Sequence, residues 1–294
     1  MNTITVRYWG GLGNVMFEIA AAIAYSAKLN RPLILSKYPA FPNLDNHCAE
    51  SIGLCETEYA NSLKEFSEDD IARGVPIPEN CNVKLIGFYQ HYQLFDQYKP
   101  QIFRILEIDR LRSEALSRIQ TIGIFSPENT TISLHIRRGD YENLSCYFVL
   151  LTEYYYKNAL LHLVSKLKNT HRKINVLCFY ERKSTESANK IIDALQNDSD
   201  FSFEFRHFNQ VSNITLSDIE EMAIMSHCKH HIIANSTYSW WSAYINPDPD
   251  KIVCYPDEYF NHKLYYLVND GLHVTEWNSV KSWNPQEKRC GCGR

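Results

Sequence analysis

The sequence predicts an α/β protein built as two Rossmann-like lobes with parallel sheets and an interdomain cleft. Three observations predict it. The chain has 294 residues, long enough for two domains of about 150 residues, each with its own core. Continuous apolar strands alternate with helical segments through the second half, as in a parallel sheet covered on both faces. The first half opens with a strand, a glycine turn, a long helix and a second strand.

Composition narrows the function classes. Apolar residues make up 45% and charged residues 22%, with no low-complexity tract, so the whole chain is expected to fold. The net charge of −4 and the lack of a long basic run argue against a nucleic-acid footprint of the usual kind, and any positive site must be local. No segment approaches the ~18 uninterrupted apolar residues that span a bilayer. The start, Met1 to Trp9, alternates polar and apolar residues and lacks the layout of a secretory signal, so a cytoplasmic location is expected. Nine scattered cysteines read as reduced core residues, and Cys290 and Cys292 receive no role.

In the first half, a strand over 4–9 meets Gly10-Gly11-Leu12-Gly13-Asn14, followed by an alanine-rich helix over 15–29 that is apolar nearly all round. Arg31-Pro32 ends it and Leu33-Ile34-Leu35 resumes a strand. The glycines let backbone amides at the helix start approach an anion or a sugar. Their spacing is not Gly-x-Gly-x-x-Gly, and no acidic residue follows at the ribose position, which argues against a nicotinamide enzyme. Residues 38–78 are irregular, with a helix start at Ser67-Glu68-Asp69-Asp70. A strand over 83–87 leads into Phe88-Tyr89-Gln90-His91, where aromatic and amide groups suit a sugar ring. Tyr89, Gln90 and His91 are the candidate sugar-binding residues, although aromatics at a strand end also serve as core. Helices are expected over 94–120.

The turn-prone Ser126-Pro127-Glu128-Asn129-Thr130 predicts a boundary, with an N-terminal lobe over 1–126, a C-terminal lobe over 127–260 and a tail over 261–294 packing back across them. In Ile132-Ser133-Leu134-His135-Ile136-Arg137-Arg138-Gly139-Asp140, period-two alternation places His135 and Arg137 on the polar face. The arginines then lie at the strand's carboxyl end, where open α/β sheets bind ligands. Adjacent guanidiniums suit a phosphate or pyrophosphate, although a structural Arg–Asp cluster would look the same. Further strands are expected over 174–180, 201–205, 231–234 and 251–255, and helices over 153–168, 184–196, 216–228 and 239–245.

Asn235-Ser236-Thr237-Tyr238-Ser239-Trp240-Trp241 repeats this logic, with Ser239 as N-cap and free amides favouring a phosphate; plain capping over a tryptophan core is the alternative. His227-Cys228-Lys229-His230-His231 fits no familiar metal-ligand spacing, so no metal site is expected. No nucleophilic serine elbow or Walker loop is present.

Taken in order, the glycine turn with Val15-Met16-Phe17, then Gly87-Phe88-Tyr89-Gln90, then His135 to Tyr141, then Glu221 to Cys228 running on to Trp241, resemble the bacterial-type, GDP-fucose-dependent α-1,2-fucosyltransferase family. The resemblance implies a GT-B fold and inverting transfer of L-fucose from GDP-β-L-fucose to the 2-hydroxyl of a terminal β-galactoside in a glycan, with no cofactor and no metal. It implies that Arg137 and Arg138 bind the donor pyrophosphate and that Asp140 orients them. His135 and Glu221 would face the guanine and ribose, Asn235, Ser236, Thr237 and Ser239 would complete the phosphate cradle, and Gly11, Gly13 and Asn14 would meet the sugar end. The lobe over 1–126 would be the acceptor side, with Tyr89, Gln90 and His91 as acceptor-binding residues, and the lobe over 127–260 would bind the GDP-sugar. A lipid-linked acceptor would bring peripheral membrane association.

The chain departs from the family at Val15, Glu18-Ile19 and Glu221, where Gln, Gln-Tyr and Asp are usual. No residue is assigned as the general base. Glu18 and Asp140 are candidates on chemistry alone, and the leaving phosphate is a third proton acceptor. Another donor sugar or acceptor, or a catalytically idle nucleotide- or glycan-binding module, are the other readings.

Overall fold

In a computed structural model that describes residues 2–49, 56–125, 128–167, 173–211, 214–261, 263–264 and 270–284, every paired strand runs parallel to its neighbour. Contacts divide the chain into Met1–Leu111 with Asp270–Leu272, and Arg112–Asn269 with His273–Arg294. Ala115, Ile119 and Ile124 pack with Leu177 and Phe179, so the division falls at Leu111 rather than at the turn near Ser126.

The first unit begins with β1 (Ile4–Val6) and α1 (Leu12–Leu29). Every residue of α1 from Val15 to Ser26 is buried, because alanines at 20, 21, 22 and 24 let the helix lie close to its surroundings. Asn30, in a left-handed conformation (φ 51°), returns its N–H to Ala27 O and Ser26 O and ends the helix. The strand expected at Leu33 to Leu35 is reduced to one bridge between Ile4 and Leu33. Pro32 has no N–H for a ladder, and the Leu35 N–H turns away to His47 O at 2.8 Å.

There follow α2 (Glu56–Asn61), β2 (Leu63–Ser67), α3 (Glu68–Ala72) and β3 (Asn82–Ile86). The sheet order is β1-β3-β2. Ser67 and Asp70 form a capping box at the start of α3, as their spacing predicts. The helices α4 (Lys99–Ile105) and α5 (Ile108–Ile119) complete the stretch.

The second unit contains β4 (Asn129–Ile136), α6 (Asp140–Asn143), α7 (Glu153–Ser165), β5 (Lys173–Tyr180), α8 (Thr185–Gln196), β6 (Glu204–His207) and α9 (Phe208–Val211). After these come α10 (Asp218–Met225), β7 (His230–Ile232), α11 (Thr237–Tyr244), β8 (Val253–Pro256) and β9 (Asn278–Val280). The sheet order is β6-β5-β4-β7-β8-β9. From β4 the chain steps outward through β5 and β6, then returns to β4's other side and steps outward again. Its direction of winding therefore reverses between β4 and β7, the place where doubly wound sheets bind ligands.

One side of this sheet buries Ile132, Leu134 and Ile136 against Tyr155, Tyr156, Leu160 and Leu163 of α7 and Ile191, Ile192 and Leu195 of α8. β6 starts later than expected because Phe201 and Phe203 pack onto that core ahead of the strand. β9 is an edge strand with too little apolar sequence to be anticipated; its Asn278 donates to Val253 O at 3.0 Å.

The histidine cluster of residues 227–231 is structural. Asn246 donates to His231 Nε2 at 2.8 Å, so the neutral ring's Nδ1–H meets Ser133 Oγ at 2.8 Å. His227 Nε2 lies 3.0 Å from Arg112 O, and His230 Nδ1 accepts the Ile252 N–H at 3.0 Å. Among the described residues no group of three His, Cys, Asp or Glu is placed to hold a metal ion, and no helix is long and apolar enough to cross a membrane. Cys48, Cys81, Cys178, Cys228 and Cys254 are free thiols. Cys146 corrects the expectation for the set, since it is disulfide-bonded. Cys290 and Cys292 lie outside the described residues.

Candidate active site

The carboxyl ends of β4 and β7 carry all of the second unit's candidates except Glu221, which lies on α10. β4 delivers His135 at its penultimate position and then Arg137, Arg138 and Asp140. Arg137 donates from Nη1 to Glu181 and from Nη2 to Asp140 Oδ1 at 2.5 Å. Its guanidinium also lies 4.8 Å from the centre of the Tyr141 ring. Asp140 thus orients Arg137, whereas Arg138 is steered by the backbone, with its Nη2 donating to Leu151 O at 2.7 Å. Arg138 Nε is buried with no partner among the described residues.

Glu181, which the motifs missed, joins the candidate site through its ion pair with Arg137. It directly follows β5, whose last residue Tyr180 is in register with Ile136, so both strands end on the same edge. Gly139, at φ 71°, makes the arrangement possible: a Cβ there would lie 2.8 Å from Glu181 Oε2.

From β7, the loop reaches Asn235, which is 3% exposed and donates to Val149 O and Tyr259 O, both at 2.9 Å. Its Oδ1 is buried without a partner among the described residues. The N-cap of α11 is Ser236, not Ser239, and its side chain makes no capping bond. Ser239 lies in the first turn, fully buried, with Oγ donating to Ser236 O and accepting the Ala234 N–H at 3.3 Å each. That inward orientation corrects the expectation that its hydroxyl meets a ligand. Thr237 is partly exposed at the first helical position.

His135, 6% exposed, has its ring 5.7 Å from that of Tyr238, and its Nδ1 is buried without a partner among the described residues. Burial, aided by the nearby Arg137 charge, pulls its pKa down to about 3, so the ring is neutral. Glu221, in the first turns of α10, is pushed up to about 7 by burial and by the charge of Asp218, against the pull of Arg182. Its charge acts on Tyr238, whose hydroxyl donates to Asp218 O at 2.7 Å. Tyr238 therefore stands between His135 and Glu221, a role that its place between two hydroxyl residues did not signal.

In the first unit, Gly11 is the N-cap of α1 and Gly13 is buried within its first turn. Asn14 Oδ1 accepts from Gln90 Nε2 at 3.1 Å. His91 is exposed, with Nδ1 2.9 Å from Gln93 Oε1. Tyr89 is fully buried at φ 50°, with its hydroxyl 3.3 Å from Phe66 O. It is a packing residue, which corrects its assignment to an acceptor. Glu18 is likewise fully buried, and its Oε2 accepts the Trp9 N–H at 2.9 Å. Burial and then the Glu68 charge push its pKa up to about 7, against the Trp9 hydrogen bond.

Parallel α/β units, one of them with buried polar groups gathered at its winding reversal, define a protein of the Rossmann-like GT-B class. Residues 1–280 match glycosyl transferase family 11, and the chain belongs to that family of glycosyltransferases. It is 26% identical over 321 residues to the O-antigen biosynthesis glycosyltransferase WbnK of Escherichia coli, covering 90% of this chain and 98% of that protein. It is 25% identical over 298 residues to an alpha-1,2-colitosyltransferase of Escherichia coli, covering 90% and 94%. Its fold is similar to that of fucosyltransferase NodZ from Bradyrhizobium, with a TM-score of 0.50 and 12% identity over 84% of this chain and 94% of that one.

Proposed function

We propose that this glycosyltransferase moves L-fucose from GDP-β-L-fucose to the 2-hydroxyl of a terminal β-galactoside, with inversion, without a metal, giving an α-1,2 linkage. The observation that carries the donor half is the set of buried polar atoms at the β4 and β7 ends without partners among the described residues: Arg138 Nε, His135 Nδ1 and Asn235 Oδ1. Buried polar groups are paired in folded proteins, so a polar ligand is their natural complement. The family membership and the name of the colitosyltransferase support a 1,2 linkage, and the O-antigen name of the other relative supports a glycan acceptor.

In this reading the acceptor oxygen attacks the anomeric carbon while the bond to the diphosphate oxygen breaks, and GDP leaves with the electron pair. Arg137, Arg138 and the N-terminal end of α11 stabilise the charge that develops on the diphosphate. Neutral His135 offers a hydrogen-bonding ring to the nucleoside without adding charge. Glu18 is sealed in the first unit and Asp140 is held by Arg137. The proton is therefore assigned to the departing diphosphate.

The test is turnover of GDP-fucose with a panel of galactose-terminated acceptors, with and without EDTA, and product linkage by NMR. An α-1,2-fucosylated product formed at the same rate in EDTA is expected, and no GDP release with any acceptor would overturn the reading. A second donor is favoured by the colitosyltransferase relative. Faster turnover of GDP-colitose than of GDP-fucose in the same assay would establish it.

A further inference from the structure

We infer that Trp9 and Phe88 form an aromatic platform that receives a hexopyranose ring of the acceptor glycan. The inference rests on the glycan-acceptor reading above and replaces Tyr89 as the aromatic contact. Trp9 is 58% exposed and Phe88 is 42% exposed, the most exposed aromatic side chains among the described residues. They leave the same edge of the first sheet. β1 and β3 pair in parallel with Val6 opposite Leu85, and the Arg7 N–H continues the ladder to Leu85 O at 3.0 Å. Trp9 follows the end of β1 by three residues and Phe88 follows the end of β3 by two.

Both positions are built rather than incidental. The Trp9 N–H donates to Glu18 Oε2 at 2.9 Å, and the Phe88 and Tyr89 N–H groups donate to Glu68 Oε2 at 3.1 and 3.3 Å. A carboxylate from the helix after β1 thus fixes one loop, and a carboxylate from the helix after β2 fixes the other. Gly87, at φ 144°, admits the second, since a Cβ there would lie 2.7 Å from Glu68 Cβ and Oε2. The left-handed turn at Tyr89 then sends that ring into the core and leaves Phe88 outside.

The Arg7 guanidinium, 4.7 Å from the Trp9 ring centre, holds the indole by one face. Beside Phe88, Gln90 and exposed His91 carry the hydrogen-bonding groups that sugar hydroxyls need. Flat apolar rings next to amide and imidazole groups match a β-galactoside, which presents a face of C–H groups and a rim of hydroxyls.

The test compares wild-type protein with Trp9→Ala, Phe88→Ala and Trp9→Phe. Acceptor KM is read with lactose and N-acetyllactosamine, and sugar binding by saturation-transfer NMR in the presence of GDP. Each alanine variant is expected to raise acceptor KM about tenfold and to weaken saturation transfer, with donor KM and melting temperature unchanged. Trp9→Phe is expected to restore most of the binding. Unchanged acceptor KM and saturation transfer in both alanine variants, or no saturation transfer from the wild type to either sugar, would overturn the platform. If the wild type consumes no GDP-fucose yet the alanine variants lose saturation transfer, the fucosyl-transfer reading fails and the platform stands.

Discussion

Glu181 grips one end of the Arg137 guanidinium while Asp140 grips the other, so the residue that follows β5 sets the orientation of the residue that follows β4. Arg137→Ala is expected to lower kcat/KM by about 100-fold or more, the usual loss when a charge-stabilising donor is removed. Glu181→Ala is expected to cost about tenfold, expressed mainly in donor KM, because the guanidinium survives but loses one of its two restraints. Steady-state kinetics with varied donor separates the two effects.

Gly139→Ala tests the same contact through the backbone. The residue sits at φ 71°, ψ −116°, a conformation costly for any residue with a Cβ, and the added carbon would meet Glu181 Oε2 at 2.8 Å. A loss of about 1–3 kcal/mol in stability is expected by urea unfolding, together with weakened GDP binding by calorimetry.

Asn235 has a structural task besides any ligand contact. Its amide nitrogen ties the backbone at Val149 and at Tyr259 to the end of β7. Asn235→Asp removes both donors and puts a carboxylate against two carbonyls. A destabilisation of about 3 kcal/mol is expected, measured by urea unfolding at pH 8, where the new carboxylate's ionisation counts most.

Glu18 makes stability fall as pH rises. Its folded pKa is about 7, above the ~4.3 of an unfolded glutamate. Between those values the unfolded chain binds fewer protons at this site than the native one, so ionisation favours unfolding. Glu18→Gln keeps an oxygen to accept the Trp9 N–H and abolishes the charge. The variant is expected to match the wild type near pH 5 and to exceed its urea midpoint at pH 8.

His135 and His231 act in the opposite direction. Burial holds both near a pKa of about 3, below the ~6.5 of the unfolded state. The unfolded chain therefore binds more protons between those values, and stability is lost as pH falls below about 6.5. In NMR titrations neither imidazole is expected to shift between pH 8 and 5, and movement of the His135 resonances near pH 6.5 would contradict its burial.

Much of this architecture was legible in the residues. The alternation of Ile132, Leu134 and Ile136 marked β4 and put Arg137 and Arg138 at its carboxyl end, where they stand. The alanine-rich run marked α1, and Ser67 with Asp70 marked a helix start. Short-range pattern failed where partners distant in sequence decide. Glu181 comes 44 residues after Arg137 and carries no motif, so only the β4–β5 register reveals it. The left-handed turn at Tyr89 reversed inside and outside, moving the exposed ring from Tyr89 to Phe88. Ser239 looked like a cap, yet the helix begins two residues earlier and turns it inward.

The sequence by itself determined the class of fold, the family and the edge on which the arginines lie. Periodicity and local spacing are properties of contiguous residues, so they can be read without a partner. Only the tertiary structure decided which polar atoms are left buried and unpaired, which carboxylate holds Arg137, and which rings remain exposed. Those outcomes depend on strand order, register and burial, which bring together side chains that no local pattern connects.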